Sequence, residues 1–372
     1  MENRIKFNIP IPKDILEISE VFKKEGFKLF VVGGAVRDTL LGQTPKDFDL
    51  ATDAIPDKVE EMMNAAGFST LPTGKAFGVI NVFTDMCEYE IATFRQEVGS
   101  DGRRPDSVTF TTIEGDVLRR DITINALFFD LDTSEVVDLV GGVEDLKNGI
   151  IRTVGIPEDR FNEDRLRILR AIRFAARFNN GLQSSIIDAL NKDASLKGIS
   201  AERIRDEFLK GLKSAKSTVF FLEMIDSFNL FDWIFPNMKI NKDFIEEKDP
   251  IIQLTILLKF EQFGTLGSKL NKLTHPTADI NSIQFLLLLQ DLCTATAFEI
   301  KKSRLKTSLT TTQILKFGEL VGIEFKLLDT FEKFELTVSG EKVMEEFGLK
   351  PSKELGDKIR ELETENFRKL LN

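Results

Sequence analysis

LFVVGGAVRDTLLGQTPKDFDLA, residues 29–51, decides the fold. An apolar run, Leu29 to Val32, ends in the paired glycines Gly33 and Gly34. Arg37 and Asp38 follow on what reads as a helix, and Asp47 and Asp49 stand at alternate positions of a second strand. Alternate residues of a strand point the same way, so the two carboxylates converge and can share hard divalent cations through oxygen ligands. Gly33 and Gly34 permit backbone conformations that residues with side chains resist, and they bring N–H groups toward a triphosphate near the start of the next helix. A Gly-Gly pair alone is most often a tight turn, and D-x-D arises by chance in acidic chains. Strand, GG, RD and DFDL in this order are what a phosphate cradle followed by a metal clamp requires.

Further runs follow in order: LPTGKAFGVI (71–80), ATFR (92–95), DGRRP (101–105), RRDITINAL (119–127), DLVGGVEDLKNGIIRTVG (138–155), FNEDRLRILRAIRFAARF (161–178) and ISAERIRDEFLKGL (199–212). With Gly33, Gly34, Arg37, Asp38, Asp47 and Asp49 as a first motif, the series resembles the class II tRNA nucleotidyltransferases (CCA-adding enzymes) and bacterial poly(A) polymerases. The resemblance covers about residues 27–212. It implies an α+β fold with a polymerase β-like nucleotidyltransferase head of mixed sheet and helices over residues 1–140. A helical neck with the base-binding helix would span 141–215, and an all-α body and tail that bind tRNA would span 216–372.

Composition sets limits. The 372 residues are 42% apolar and 30% charged, enough for several packed units of a soluble protein. The start, MENRIKFNIPIPKD, has no apolar signal region, and apolar runs such as Phe285 to Leu289 fall far short of a membrane span. Cys87 and Cys293 lie far apart in sequence, which suggests neither a disulfide framework nor a zinc cluster. Each is expected as a buried thiol, in a reducing, cytoplasmic compartment.

A net charge of −10 is unusual for an RNA binder, but location matters more than the sum. From Lys147 to Arg177 one lysine and seven arginines face Glu158, Asp159, Glu163 and Asp164, a local excess of four positive charges. That basic segment is expected to meet phosphate, or else to decorate a solvated helix face. Up to about Val140, β-rich runs (FKLFVV, VINVF, YEIATF, NALFFDL) alternate with helical stretches. After Pro157 the pattern is helical: Leu166, Leu169, Ile172 and Ala176 recur at intervals of three and four, with similar spacing through 200–213, 217–229, 251–262 and 282–290.

Asp164 and Arg167 are three apart, which on a helix puts their side chains on one face. An ionised aspartate only accepts hydrogen bonds and an arginine only donates them. Cytosine and adenine both present an exocyclic amine beside an acceptor ring nitrogen, so one Asp/Arg pair can read both. Uracil and guanine present a carbonyl beside a ring N–H and set like against like. At about 1–3 kcal/mol for a well-formed bidentate pair, such mispairing excludes UTP and GTP. The alternative is an i,i+3 surface ion pair worth tenths of a kcal/mol.

The resemblance gives the same residues the base-selecting role, with Glu163 holding Arg167 or a neighbouring arginine and Arg170 as a weaker candidate for base or phosphate. It implies two Mg2+ ions on Asp47 and Asp49, which would be the catalytic residues, and it implies CTP and ATP as substrates. Arg119, Arg120 and Asp121 would lie near the nucleotide, with Arg120 and Asp121 reading the ribose hydroxyls, Asn125 supporting them and Arg37 contacting phosphate. Glu90 is either an auxiliary carboxylate or an exposed strand residue. The sole histidine, His275, lies outside every motif and reads as structural or surface, and one histidine cannot build the phosphohydrolase site some relatives carry. The helical half is assigned to the tRNA acceptor stem and elbow; no membrane or DNA partner is expected.

One departure stands out: the link Gln96 to Ser100, QEVGS, is shorter than the family's and lacks its aromatic. The reading is therefore template-independent CCA addition or repair, with CC-adding or A-adding specialists and poly(A) polymerase as alternatives. A noncatalytic tRNA-binding or chaperone protein is the alternative from another class, and paired metal ligands disfavour it.

Overall fold

The computed structural model describes residues 3–98, 107–290, 297–323 and 328–370. The chain divides into two compact units. One comprises Met1–Ser200 with Ala215–Ser217 and Ser227–Leu230, and the other takes Ala201–Ser214, Thr218–Asp226 and Phe231–Asn372.

The first unit opens with β1 (Asn3–Lys6), α1 (Lys13–Lys24), β2 (Leu29–Val32), α2 (Gly34–Leu40), β3 (Asp49–Thr52) and α3 (Pro56–Ala65). Then come β4 (Ser69–Leu71), β5 (Val79–Phe83), β6 (Glu88–Thr93), β7 (Arg95–Val98), β8 (Ser107–Phe110) and α4 (Ile113–Leu118). It continues through β9 (Leu127–Asp130), β10 (Glu135–Asp138), α5 (Gly142–Asn148), β11 (Ile150–Ile151), α6 (Pro157–Glu163), α7 (Leu166–Phe178), β12 (Gly181–Leu182) and α8 (Ser184–Lys192). Eight strands form one mixed sheet in the order β1-β10-β9-β2-β3-β6-β5-β4, in which only β3 and β6 run parallel. β7 and β8 pair as a separate ribbon.

β2 reads as an unbroken apolar run because both faces of the sheet are covered. Leu29 and Val31 join Leu50, Ile91 and the α1 and α3 side chains Ile15, Ile18, Phe22, Val59 and Met63 in one core. Phe30 and Val32 join Ala51, Phe94, Val117, Phe128 and Val154 in the other. Phe94, Ala126 and Val154 bring the ATFR, RRDITINAL and DLVGGVEDLKNGIIRTVG runs to that second face.

The other unit is helical among the described residues: α9 (Ala201–Ser214), α10 (Thr218–Ser227), α11 (Phe231–Ile234), α12 (Pro250–Leu257), α13 (Phe263–Lys272) and α14 (Thr277–Gln290). α15 (Ala297–Arg304), α16 (Thr311–Val321), α17 (Leu328–Lys333), α18 (Gly340–Phe347) and α19 (Lys353–Leu370) complete it. Its core gathers Ile252, Ile256, Phe285, Leu286, Leu289, Ile314 and Phe317. Asp249 caps α12 through the Ile251 and Ile252 N–H groups, and Thr310 and Gln313 form a capping box at α16. His275 is buried, and its imidazole is pushed down to about 4 by that burial and by the Arg205 charge, so it stays neutral. No helix among the described residues is long and apolar enough to cross a membrane.

The expected α+β head followed by a helical remainder is the architecture found, apart from the two-residue strands β11 and β12, which pair with each other. Two expectations need correction. Cys87 is exposed rather than buried, because it falls in the turn between β5 and β6, where Thr84 receives its N–H. Cys293 lies outside the described residues. Gln96 to Val98 belong to β7, paired with β8, rather than to a loop; residues 99–100 and the DGRRP run also fall outside the described residues.

Candidate active site

β2 and β3 run antiparallel with Val32 opposite Asp49, so the end of β2 delivers the glycine turn beside the paired carboxylates. The strand begins only at Asp49; Asp47 lies in the segment leading into it, a correction to the placement of both on a strand. Alternation nevertheless holds. Phe48 and Leu50 turn into the first core, and Asp47 and Asp49 are open to solvent. Asp49 is walled by protein on one side: that desolvation, and then the Asp47 charge, hold its carboxyl above the ordinary value despite Arg120. Among the described residues neither carboxylate accepts a hydrogen bond or ion pair from a protein side chain. Two unpartnered oxygen donors, one penalised for its charge, fit a hard divalent cation that completes its shell with substrate phosphates.

Glu90 precedes Ile91, the partner of Leu50, and so stands beside Asp49 on the same face of the sheet. It is exposed, and Asp47, Asp49 and Glu90 do not close into a three-ligand cluster among the described residues.

Gly33 adopts φ 67° and ψ −117°, a conformation that favours glycine. Its N–H donates to the Leu127 carbonyl at 2.9 Å, so this donor is not available to a phosphate, contrary to the sequence reading. A Cβ there would sit 3.6 Å from Arg120 Nη1, which shows how closely Arg120 lies against the turn. Gly34 opens the two-turn helix α2. Arg37, further along it, is only 4% exposed. It donates to Asp38 from Nε at 2.8 Å and Nη2 at 2.6 Å, and from Nη1 to Asn125 Oδ1. Its guanidinium lies against the Phe174 and Phe178 rings of α7.

The RRDITIN run folds around two acids. Asp121 Oδ2 accepts from Arg170 Nε at 2.9 Å and Nη2 at 2.6 Å, and Oδ1 accepts from the Ile122 N–H and from Asn125 Nδ2. Burial alone would raise the Asp121 carboxyl, but Arg170 and these hydrogen bonds hold it below its ordinary value. Its share of stability is therefore present above the ordinary carboxylate range and lost as pH falls through the lower folded value. Behind this turn, Gly142 of α5 approaches so closely that a Cβ would stand 2.2 Å from the Thr123 carbonyl oxygen. The Thr123 hydroxyl donates to buried Asp145, which also holds Arg152.

The second acid, Asp116 on α4, was not singled out from sequence. Its carboxylate, 1% exposed, accepts from Arg119 Nε at 2.8 Å, Arg120 Nη2 at 3.0 Å and the Arg95 N–H at 3.2 Å. Desolvation pushes Asp116 up, and the charges of Arg120 and Arg119 bring it below its usual range. In sequence, IEGDVL offers only an acidic residue near a helix start. Asp116→Ala leaves two arginines without their common counter-charge, and a loss of about 3–5 kcal/mol in unfolding free energy by urea denaturation is expected; a loss under 1 kcal/mol would show that the arginines find other partners.

The run EDRLR is not one helix. α6 ends at Glu163, Asp164 is extended (φ −149°, ψ 106°), and α7 starts at Leu166. Asp164 and Arg167 are thus not neighbours on one helix face. Asp164 Oδ1 accepts the Leu166 N–H at 3.0 Å and its carbonyl accepts the Arg167 N–H at 3.0 Å, so Asp164 caps α7. Glu163 bridges Arg160 and Arg167, the latter at 2.7 Å. Arg167 Nη2 also donates to the Arg119 carbonyl at 3.1 Å, which joins the tip of α7 to the RRD turn. α7 is buried along nearly its whole length, and three of its four arginines pair with acids: Arg167, Arg170 and Arg177 meet Glu163, Asp121 and Asp38.

Fold and site together define a nucleotidyltransferase. The sequence profile of the poly A polymerase head domain matches residues 29–152, and that of the probable RNA and SrmB-binding site of polymerase A matches 186–241. The CCA-adding enzyme of Ligilactobacillus salivarius is 33% identical over 96% of this chain and 93% of its own length; that of Lactobacillus helveticus is 34% identical over 93% and 91%. The crystal structure of the Bacillus stearothermophilus CCA-adding enzyme in complex with CTP is 25% identical, with a TM-score of 0.68 over 94% of this chain and 91% of that one. The chain belongs to the CCA-adding enzyme family.

Proposed function

We propose that this protein adds or repairs the 3′-terminal CCA of tRNA from CTP and ATP without a nucleic acid template. The observation that carries this reading is the hydrogen bond from Arg167 to the Arg119 carbonyl, which joins the start of α7 to the turn whose Arg120 lies against Gly33. The names of the relatives and the CTP bound to one of them support it.

In this reading residues 1–140 are the catalytic head, 141–215 the neck and 216–372 the tRNA-binding body and tail. Asp47 and Asp49 hold Mg2+, two ions in the full site, with Glu90 beside them. The metal supplies positive charge to the triphosphate and favours ionisation of the RNA 3′-hydroxyl. Gly33 and Gly34 let the phosphates approach the backbone, Arg119 lies near the nucleotide, and Arg120 and Asp121, supported by Asn125, read the ribose hydroxyls. Asp164 accepts the exocyclic amine of cytosine or adenine, and Arg167, steadied by Glu163, donates to the ring nitrogen.

tRNAs ending at the discriminator base, at C and at CC, offered labelled CTP and ATP separately and together, test this. Addition that completes CCA and stops is expected. A long A tract would instead identify a poly(A) polymerase, and a stop after CC, or activity only on CC ends, a specialist.

A further inference from the structure

Arg170 and Arg177 are seven residues apart on α7, two turns, and so face the same way. From Arg170 a hydrogen-bonded path runs to Asp121, and from Asp121 Oδ1 to Asn125 Nδ2 at 3.3 Å. It passes from Asn125 Oδ1 to Arg37 and from Arg37 to Asp38. Asp38 Oδ2 then accepts from Arg177 Nη2 at 3.2 Å, which closes the ring on the helix where it began. Inside lie Phe174 and Phe178, with centroids 6.3 Å apart and planes within 6° of parallel. Arg37 stands 5.5 Å and 5.1 Å from their centroids.

Apolar packing is non-directional and lets a helix slide or roll by small amounts. Directional, charge-assisted bonds at two points two turns apart fix both its axial position and its roll. One such anchor, Arg170, lies near the base-reading tip; the other, Arg177, lies at the far end of α7. Arg37 joins them from a site closed to solvent, where a phosphate cannot reach it without displacing Asp38 or Asn125.

We propose that Arg37, Asp38 and Arg177 are positioning residues for base selection, holding α7 in register with the ribose-side turn. Arg37 acts through Asn125 and the two phenyl rings and is not a phosphate ligand. The inference rests on the base-reading role proposed above for Asp164 and Arg167.

Arg177 has a side chain 30% exposed, so Arg177→Ala is expected to fold. The full-length variant is compared with wild type and Arg177→Lys by single-nucleotide addition, with kcat/KM measured for CTP and UTP on tRNA ending at the discriminator base and for ATP and GTP on tRNA ending in CC. The expected result for Arg177→Ala is a preference for CTP over UTP and for ATP over GTP that falls roughly tenfold, the size of a weakened base contact. Arg177→Lys, which keeps a donor for Asp38, restores most of it. Unchanged preferences, an equal loss for all four nucleotides, or a rise only in the KM for tRNA would each overturn the proposal, the last by marking Arg177 as an RNA contact. Unchanged preferences in Arg177→Ala beside a selective wild type defeat only this inference; a wild type that does not select C and A defeats the function reading as well.

Discussion

Asp49→Ala is expected to lower nucleotide addition by roughly a thousandfold or more while tRNA binding and the fold survive. A metal ligand contributes several kcal/mol of transition-state charge stabilisation, and each 1.36 kcal/mol is a factor of ten. The fold survives because the carboxylate has no hydrogen bond or ion pair to lose among the described residues and desolvation of its charge outweighs the attraction of Arg120. In the absence of metal the variant is expected to melt no lower than wild type, and added Mg2+ is expected to raise the wild-type midpoint by binding the folded state but not that of the variant. The raised carboxyl value also fixes the sign of the pH effect. The metal-free fold gains stability from Asp49 as pH falls through that value, and Mg2+ affinity weakens over the same window. Nucleotide incorporation undiminished in Asp49→Ala would refute the metal assignment.

The second large effect is on base choice and comes from Asp164→Asn. Asparagine caps a helix as well as aspartate does, so α7 keeps its N-terminal hydrogen bond and the melting temperature is expected to hold within a degree or two. The new amide can donate where the carboxylate could only accept, and uracil offers a carbonyl at that position. The CTP-over-UTP ratio of kcat/KM is expected to fall by roughly 10–100-fold, the equivalent of about 1–3 kcal/mol of contact energy. Asp164→Ala, which loses cap and acceptor together, is expected to cost a further ~1 kcal/mol of stability. If Asp164→Asn keeps full discrimination, Asp164 is a cap and nothing more.

What was legible in the sequence was local. The glycine turn after Val32, the outward alternation of Asp47 and Asp49 about Phe48, and the apolar period of α7 each depend on a few consecutive residues, and backbone geometry reads them directly. The destination of Arg37 was not legible, because Asn125, its acceptor, lies 88 residues away and is brought in by the pairing of β2 with β9. Glu90 stands beside Asp49 only because β6 docks parallel to β3, a pairing that no local pattern announces. The acid partners of the α7 arginines were not legible for the same reason: Asp38 and Asp121 are far off in the chain. The break at Asp164 did carry a signal. An aspartate two residues before Leu166, the first residue of the apolar period, is a helix start; the charged residues on both sides of it, Glu163 and Arg165, masked it. β1, at the sheet edge, and β10, paired between β1 and β9, escaped notice because strands of four residues show too little alternation to stand out.

If protein side chains replace a complementary strand beside the carboxylates, a crystal structure of the tRNA-free protein with CTP and Mg2+ will show it. The cytosine amine is expected on Asp164, its ring nitrogen on Arg167, and the triphosphate over Asp47 and Asp49 with metal between. A cytosine bound away from the start of α7, or a triphosphate that leaves those two carboxylates without metal, would contradict it.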